Sequence, residues 1–93
     1  MNPKELMISR YEAFKANNWS YLEETSLHQK AQDLATLAHI RWLRLEILNA
    51  HDNIVEFKAY YDEYGHKGVL HEKSYFVQVD GEWKYNDGVI DPS

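Results

Sequence analysis

The amino-acid sequence predicts an α+β fold in which two or three N-terminal helices pack on a curved, four-stranded antiparallel sheet. Apolar residues recur at helical spacing before Arg41 and alternate with polar residues after it. Near the C-terminus, the dipeptide Asp80-Gly81 separates two alternating segments, as in a tight β-hairpin. Short connections make consecutive strands antiparallel neighbours, so helices on one face of this meander would form a cone with a pocket inside.

The first helix is predicted over residues 3–16. Asn2 is a suitable N-cap, and Pro3 suits the first helical position because its missing N–H costs nothing there. Arg10 borders or enters the apolar stripe of this helix. Its charge therefore needs a polar partner from another part of the fold. The stripe contains Leu6, Met7, Tyr11, Ala13 and Phe14.

Two further helices are predicted before the sheet. The second covers residues 19–24, with Asn18 as its cap. The third begins at Ser26, which has Gln29 three residues later as in a capping box, and fades near His39.

Four strands follow, and their alternation assigns their faces. The predicted strands are residues 41–48, 54–61, 69–79 and 82–86, with residues 64–68 as a loop. The alternation puts one set of side chains of the later strands on the core face. These are Val55, Phe57, Ala59 and Tyr61 in the second strand, Leu70, Glu72, Ser74 and Phe76 in the third, and Trp83 and Tyr85 in the fourth.

Length, charge and cysteine content restrict the class of protein. The 93 residues predict one domain (residues 1–93, core about residues 4–88). The formal net charge of −5 argues against binding to nucleic acid or to an anionic membrane surface. No apolar run is long enough for a membrane span, and no cysteine is available for a thiol nucleophile or a Cys-ligated metal. We expect a cytoplasmic protein without a cofactor.

The best candidate site is a polar cluster inside the apolar shell. An ion pair of Arg10 with Glu72 or Asp87 would dock the first helix on the sheet, because a buried charge needs a partner. Alternatively, the same groups line a pocket for a small polar ligand, or Glu72 or Asp87 acts as an acid/base with Tyr85 as hydrogen-bond donor. The candidate residues are Arg10, Tyr11, Glu72, Ser74, Trp83, Tyr85 and Asp87.

Two weaker features concern the rest of the sheet. Large apolar residues on the face opposite the core predict a homodimer or a protein partner there; they are Trp42, Tyr60, Tyr75 and Val77. His66 and His71 with a carboxylate are considered as metal ligands, but no metal is assigned to them.

Several segments, in order, resemble the YchJ-like family. Its opening pattern resembles residues 6–14 (LMISRYEAF) and 21–25 (YLEET), and its later motifs resemble residues 42–45 (WLRL), 55–59 (VEFKA), 71–76 (HEKSYF) and 81–88 (GEWKYNDG). The resemblance implies the NTF2-like (cystatin-like) α+β fold. Family members typically carry Cys-rich, zinc-binding SEC-C motifs beside this domain, and this chain departs from that pattern. The family's biochemical role is uncharacterised.

We therefore predict a binding or protein-interaction module without a catalytic role. The alternative is a cofactor-free lyase or isomerase, or a small-ligand binder, that uses the pocket of the cone. An enzyme predicts an open pocket of at least ~300 Å³ with convergent polar groups, whereas a module predicts a filled cone.

Overall fold

A computed structural model describes residues 1–91 and has the predicted α+β architecture. The four strands form one antiparallel sheet in the order β1-β2-β3-β4, with the helices before it in the chain. The elements are α1 (Pro3–Lys15), α2 (Trp19–Glu24), α3 (Ala31–Leu34), a 3₁₀ turn (Ala35–Leu37), β1 (Arg41–His51), β2 (Ile54–Glu63), β3 (His66–Val79) and β4 (Glu82–Ile90).

The first two helices begin and end close to their predicted bounds. At the start of α1 a capping box forms, in which the side chain of Asn2 accepts from the backbone N–H of Glu5 and the Glu5 carboxylate accepts from the N–H of Asn2. Asn18 caps α2 by accepting from the N–H of Tyr21. Local side-chain chemistry thus satisfies one free helical N–H group at each of these helix starts.

The third helix is present but begins later and is shorter than predicted, at Ala31 instead of Ser26. Ser26 does accept from the N–H of Gln29, as a cap would, but its segment is held by the sheet instead. Leu27 N–H donates to the carbonyl of Tyr85 at 3.0 Å, and Tyr85 N–H donates to the carbonyl of Thr25 at 2.8 Å. This short parallel pairing covers the free edge of β4, and α3 begins only at Ala31.

The first three strands are longer than predicted because the turns between them are tighter, and β4 extends to Ile90 by pairing with β3. The Asp80-Gly81 hairpin is confirmed, with both residues at positive φ as a two-residue turn requires. Tyr64-Gly65 forms a second turn with positive φ at both positions, so that most of the predicted loop belongs to β3.

The core lies between α1 and the inner face of the sheet. From β2, Val55, Phe57 and Ala59 are buried, as the alternation predicted. Leu6 from α1 and Phe76 from β3 are in the same cluster. This inner face is also the face that carries the candidate site.

A β-bulge in β1 overturns the predicted position of Trp42. The register between β1 and β2 shifts between Trp42 and Arg44, so Trp42 pairs with Tyr61 on the inner face. Its ring lies edge-on to the rings of Tyr11 and Tyr61, with centroid distances of 6.3 and 5.6 Å. Trp42 is therefore part of the core packing and does not belong to the outer face, because a bulge breaks the two-residue period of a strand.

The other three predicted interface residues do lie on the outer face. Tyr60 is half-buried, and the guanidinium of Arg44 stacks over its ring at 4.0 Å from the centroid. Tyr75 and Val77 are half-buried and flank the fully buried Phe76 along β3, so they point away from the core.

Candidate functional site

A cavity of about 210 Å³ lies between α1, the segment 29–37 and the inner face of the sheet. Most of its lining is apolar, and polar side chains from α1, β3, β4 and the segment before α3 complete it. The apolar lining consists of Met7, Phe14, Leu34, Leu37, Trp42, Phe57, Ala59 and Leu70. The polar or hydroxylated lining consists of Arg10, Tyr11, Gln29, Glu72, Ser74 and Tyr85.

Arg10 is buried in the wall of this cavity, with 3% of its surface exposed. Its guanidinium donates to the carbonyl of Leu22 at 2.9 Å, to Thr25 Oγ1 at 2.7 Å and to Gln29 Oε1. Its central carbon lies 4.8 Å from the ring centroid of Tyr85. Burial lowers the pKa of Arg10 to about 10, which leaves the side chain protonated at neutral pH.

The predicted ion pair of Arg10 with Glu72 or Asp87 is wrong. Among residues 1–91, Arg10 takes part in no ion pair. The ion pair does not form because the segment that follows α2 provides other partners for Arg10. Its residues Thr25 and Gln29 lie between α1 and β4 and supply neutral oxygen acceptors to the guanidinium.

Glu72 is held by two hydroxyl groups. Its Oε2 accepts from Ser74 Oγ at 2.7 Å and from Tyr85 Oη at 3.3 Å. Burial raises the pKa of Glu72, and these two hydrogen bonds only partly oppose the effect. Burial and the neighbouring Glu72 charge likewise raise the pKa of Tyr85.

Tyr85 connects the two charged groups of the cavity wall. One face of its ring is covered by the Arg10 guanidinium, and its hydroxyl group donates to Glu72. The resulting chain of contacts is called the polar network below; it comprises Gln29, Arg10, Tyr85, Glu72 and Ser74.

Gly88 provides the room that this network needs. It pairs with Ser74 across the β3–β4 ladder, and a Cβ atom at Gly88 would overlap both Glu72 Oε2 and Tyr85 Oη. A glycine within a strand often marks such a close approach. In the sequence, Gly88 stands out only as the last residue of the motif at residues 81–88.

Two residues of the predicted cluster do not line the cavity. Trp83 is on the inner face but packs against the edge of the core. Asp87 is exposed on the outer face, opposite Tyr75, because a register shift at Tyr75/Phe76 turns β4 over between Tyr85 and Asp87. The assignment of Asp87 to the cluster is therefore wrong, and its carboxylate accepts from the N–H of Gly88 instead.

Tyr11 lines the cavity as predicted. It is almost fully buried, and its hydroxyl group has no hydrogen-bond partner within residues 1–91. Burial raises the pKa of Tyr11, so the hydroxyl group remains protonated at neutral pH.

Sequence reasoning missed Thr25 and Gln29. In the sequence, Gln29 has the spacing of a capping-box residue after Ser26, and a carboxylate is the expected partner for a buried arginine. The one available signal was the position of Arg10 on an apolar stripe, which demands acceptors without saying which.

A separate polar cluster lies on the outer face. His71 Nε2 lies 2.7 Å from Glu56 Oε2, and His71 Nδ1 lies 3.7 Å from Asp91 Oδ2. The three residues are close enough to be considered as metal ligands, but the two carboxylates face opposite ring nitrogens. One potential ligand atom from each residue lies within 4.8 Å of the other two, and Glu56 already pairs with the ring at Nε2. His66 pairs with Glu63 at the other end of β3.

None of the helices within residues 1–91 is long and apolar enough to cross a membrane.

Comparison with known proteins identifies the family. Residues 2–88 match the family described as "YchJ, middle NTF2-like domain". A UPF0225 protein of Vibrio vulnificus (strain YJ016) is 35% identical over 101 residues, which cover 97% of this chain and 60% of the relative. A UPF0225 protein of Shewanella sp. (strain ANA-3) is 34% identical over 102 residues, covering 94% of this chain and 62% of the relative. The chain thus spans about three fifths of the length of these curated relatives.

A solved structure has the same fold. The solution structure of a SEC-C motif containing protein from Rhodopseudomonas palustris superposes with a TM-score of 0.85 at 25% identity, over 95% of this chain and 77% of that one. The architecture, the family match and the relatives agree with the resemblance noted in the sequence. The chain belongs to the YchJ-like family and carries its middle, NTF2-like domain.

Proposed function

We propose that this domain binds a small organic molecule in the cavity between α1 and the sheet. The observation that carries the proposal is the polar network, which lines a cavity instead of closing on itself through an Arg10–Glu72 ion pair. A network that served only to dock α1 on the sheet would pair these two charges directly and leave no space beside them.

The volume of the cavity sets the size of the ligand. A cavity of about 150 Å³ in another protein accommodates benzene. At about 210 Å³ this cavity has room for a somewhat larger molecule, on the order of ten non-hydrogen atoms. It is smaller than the roughly 300–1,000 Å³ typical of pockets for drug-sized ligands, which favours a compact ligand.

The lining sets the shape of the ligand. Aromatic and aliphatic side chains such as Phe57, Leu70 and Trp42 offer an apolar surface, while Glu72, Ser74 and Tyr85 place polar groups together on β3 and β4. Few polar groups in an apolar cavity orient a ligand by one end. The lining therefore suits a molecule with an apolar body and one polar end.

Cavity filling tests the proposal. Fragments with an aromatic ring and one polar substituent are titrated into the ¹⁵N-labelled protein, and amide shifts of residues that line the cavity are followed by NMR. Ala59→Leu adds bulk to the cavity wall, and we expect it to weaken binding at least about tenfold, or by about 1.4 kcal/mol.

The matched control is Ala50→Leu, which makes the same change at an exposed position on β1. We expect this variant to bind the fragments like the unmodified protein, and thermal unfolding verifies that both variants are folded. Absence of fragment binding, or binding that Ala59→Leu leaves unchanged, would refute the proposal.

A second candidate function is proton transfer at carbon without a cofactor. It is favoured by the Glu72 carboxyl group, which lies in the cavity wall with its pKa raised by burial and with the Tyr85 hydroxyl group beside it. Asp87 has no part in this candidate, because it lies exposed on the outer face.

Hydrogen exchange tests this second candidate. A small ketone or acid that binds the cavity is incubated in D₂O, and exchange of the hydrogens next to its carbonyl group is followed by NMR. Enzyme activity predicts protein-dependent exchange that Glu72→Gln abolishes without loss of binding. Exchange at the same rate with Glu72→Gln would exclude Glu72 as the acid/base.

A further inference from the structure

We infer that the ligand of this cavity is a small organic anion, a monocarboxylate with an apolar body, which the Arg10 guanidinium recognises. The inference rests on the proposed function, because it names the chemical class of the ligand for the same cavity.

The first argument is the charge of Arg10. The side chain is 97% buried, and its hydrogen bonds go to a backbone carbonyl, a hydroxyl group and a carboxamide, all of which are neutral. Buried charges in proteins are normally paired with an opposite charge. The neutral acceptors hold the guanidinium in place, and among residues 1–91 no carboxylate forms an ion pair with it.

The second argument is hydrogen-bonding capacity. A guanidinium has five N–H groups, and the three bonds to Leu22, Thr25 and Gln29 use three of them. Arg10 also lines the cavity. A carboxylate in the cavity would add both a counter-charge and acceptors for the remaining donors.

The third argument concerns Glu72, whose carboxyl group belongs to the polar network. Its charged neighbours are Arg10 from α1 and Asp87 from β4, and Tyr85 from β4 is titratable; the β2 residue opposite is the apolar Phe57. Burial raises the pKa of Glu72 and Asp87 adds to the effect, so the protonated form is favoured relative to an exposed glutamate.

Anion binding should therefore be linked to protonation of Glu72. A ligand carboxylate beside Glu72 repels the ionised form and can accept a hydrogen bond from the protonated form. The affinity for an anion should rise as the pH falls towards the pKa of Glu72, provided that the ligand itself remains ionised.

The test compares three ring compounds of similar size that differ in charge: benzoate, benzamide and benzylamine. Each is titrated by NMR into the full chain at about pH 7.5 and about pH 5.5, where benzoate remains ionised. We expect benzoate to bind roughly tenfold more tightly than benzamide, and more tightly at the lower pH. Glu72→Gln, which mimics the protonated carboxyl group, should bind benzoate more tightly at the higher pH and lose the pH dependence.

A second variant tests Arg10 without removing it. Gln29→Glu puts a carboxylate on the group that already accepts from Arg10, which neutralises its charge inside the wall. We expect this variant to weaken benzoate binding about tenfold more than it weakens benzamide binding, because only benzoate needs the positive charge of Arg10. Gln32→Glu, which adds the same charge at an exposed position on α3, is the control and should change neither affinity.

The outcomes separate the two proposals. If none of the three compounds binds in the cavity, both the proposed function and this inference fail. If benzamide binds as tightly as benzoate, the cavity binds ligands but the anion class is overturned. If benzylamine binds best, Glu72 and not Arg10 selects the ligand, and the anion class is again overturned.

Discussion

Gly88→Ala should destabilise the domain by crowding the Glu72–Tyr85 contact. The new methyl group would overlap Glu72 Oε2 and Tyr85 Oη, so at least one of these buried side chains has to move. Overpacking of this kind costs roughly 1–3 kcal/mol. Loss of the Tyr85–Glu72 hydrogen bond would add about 1 kcal/mol. The expected decrease in the free energy of unfolding is therefore about 2–4 kcal/mol.

A double-mutant cycle attributes this cost to its cause. Urea unfolding is measured for Gly88→Ala in the natural background and in a Glu72→Ala/Tyr85→Phe background, which lacks both overlapped oxygen atoms. We expect the cost of Gly88→Ala to fall by at least about 1.5 kcal/mol in the second background. An equal cost in both backgrounds would show that the substitution acts through the strand backbone and would refute the reasoning about space.

Three further predictions concern protonation, the buried guanidinium and the outer face. Because burial raises the pKa of folded Glu72, its contribution to stability is present below its unfolded pKa of about 4.3 and is lost as the pH rises through the higher folded pKa. Relative to the natural protein, the free energy of unfolding of Glu72→Gln should therefore increase as the pH rises above about 4 in urea titrations. A difference that stays constant with pH would contradict the raised pKa of Glu72. Thr25→Val removes one acceptor of Arg10 and should cost about 1–3 kcal/mol of unfolding free energy, whereas Thr36→Val, at an exposed hydroxyl group, should cost less than about 0.5 kcal/mol; equal costs would mean that the Arg10 bond adds nothing. The outer face, without Trp42, remains our predicted dimer contact: light scattering should show a dimer that Tyr75→Lys dissociates, and a monomer at every concentration would remove the prediction.

Periodicity and local caps in the sequence were sufficient to predict the α+β class. The capping chemistry of Asn2 and Asn18 sets the starts of α1 and α2, and the turn at Asp80-Gly81 sets the last hairpin. These signals act between residues close in the chain, so the sequence alone contains them. The alternation in β2 likewise identified its buried face without knowledge of its partners.

Where the sequence failed, a contact between distant segments decided the outcome. Ser26 has the local signature of a helix start, but pairing of its segment with Tyr85 on the edge of β4 replaces the helix. The β-bulges that reorient Trp42 and Asp87 arise from the register of neighbouring strands, and nothing in the alternation of a single strand reveals them.

The candidate site shows the same division. The sequence identified Arg10, Glu72, Ser74 and Tyr85 as polar residues on apolar faces, and the structure brings all four to one cavity. The sequence did not reveal that neutral oxygen atoms of α2 and of the segment after it hold Arg10. A buried charge needs partners, and the sequence of α1 alone shows that Arg10 is such a charge, because it lies on an apolar stripe. Which groups satisfy the charge, and whether space remains beside it for a ligand, depends on how helix, loop and sheet pack together.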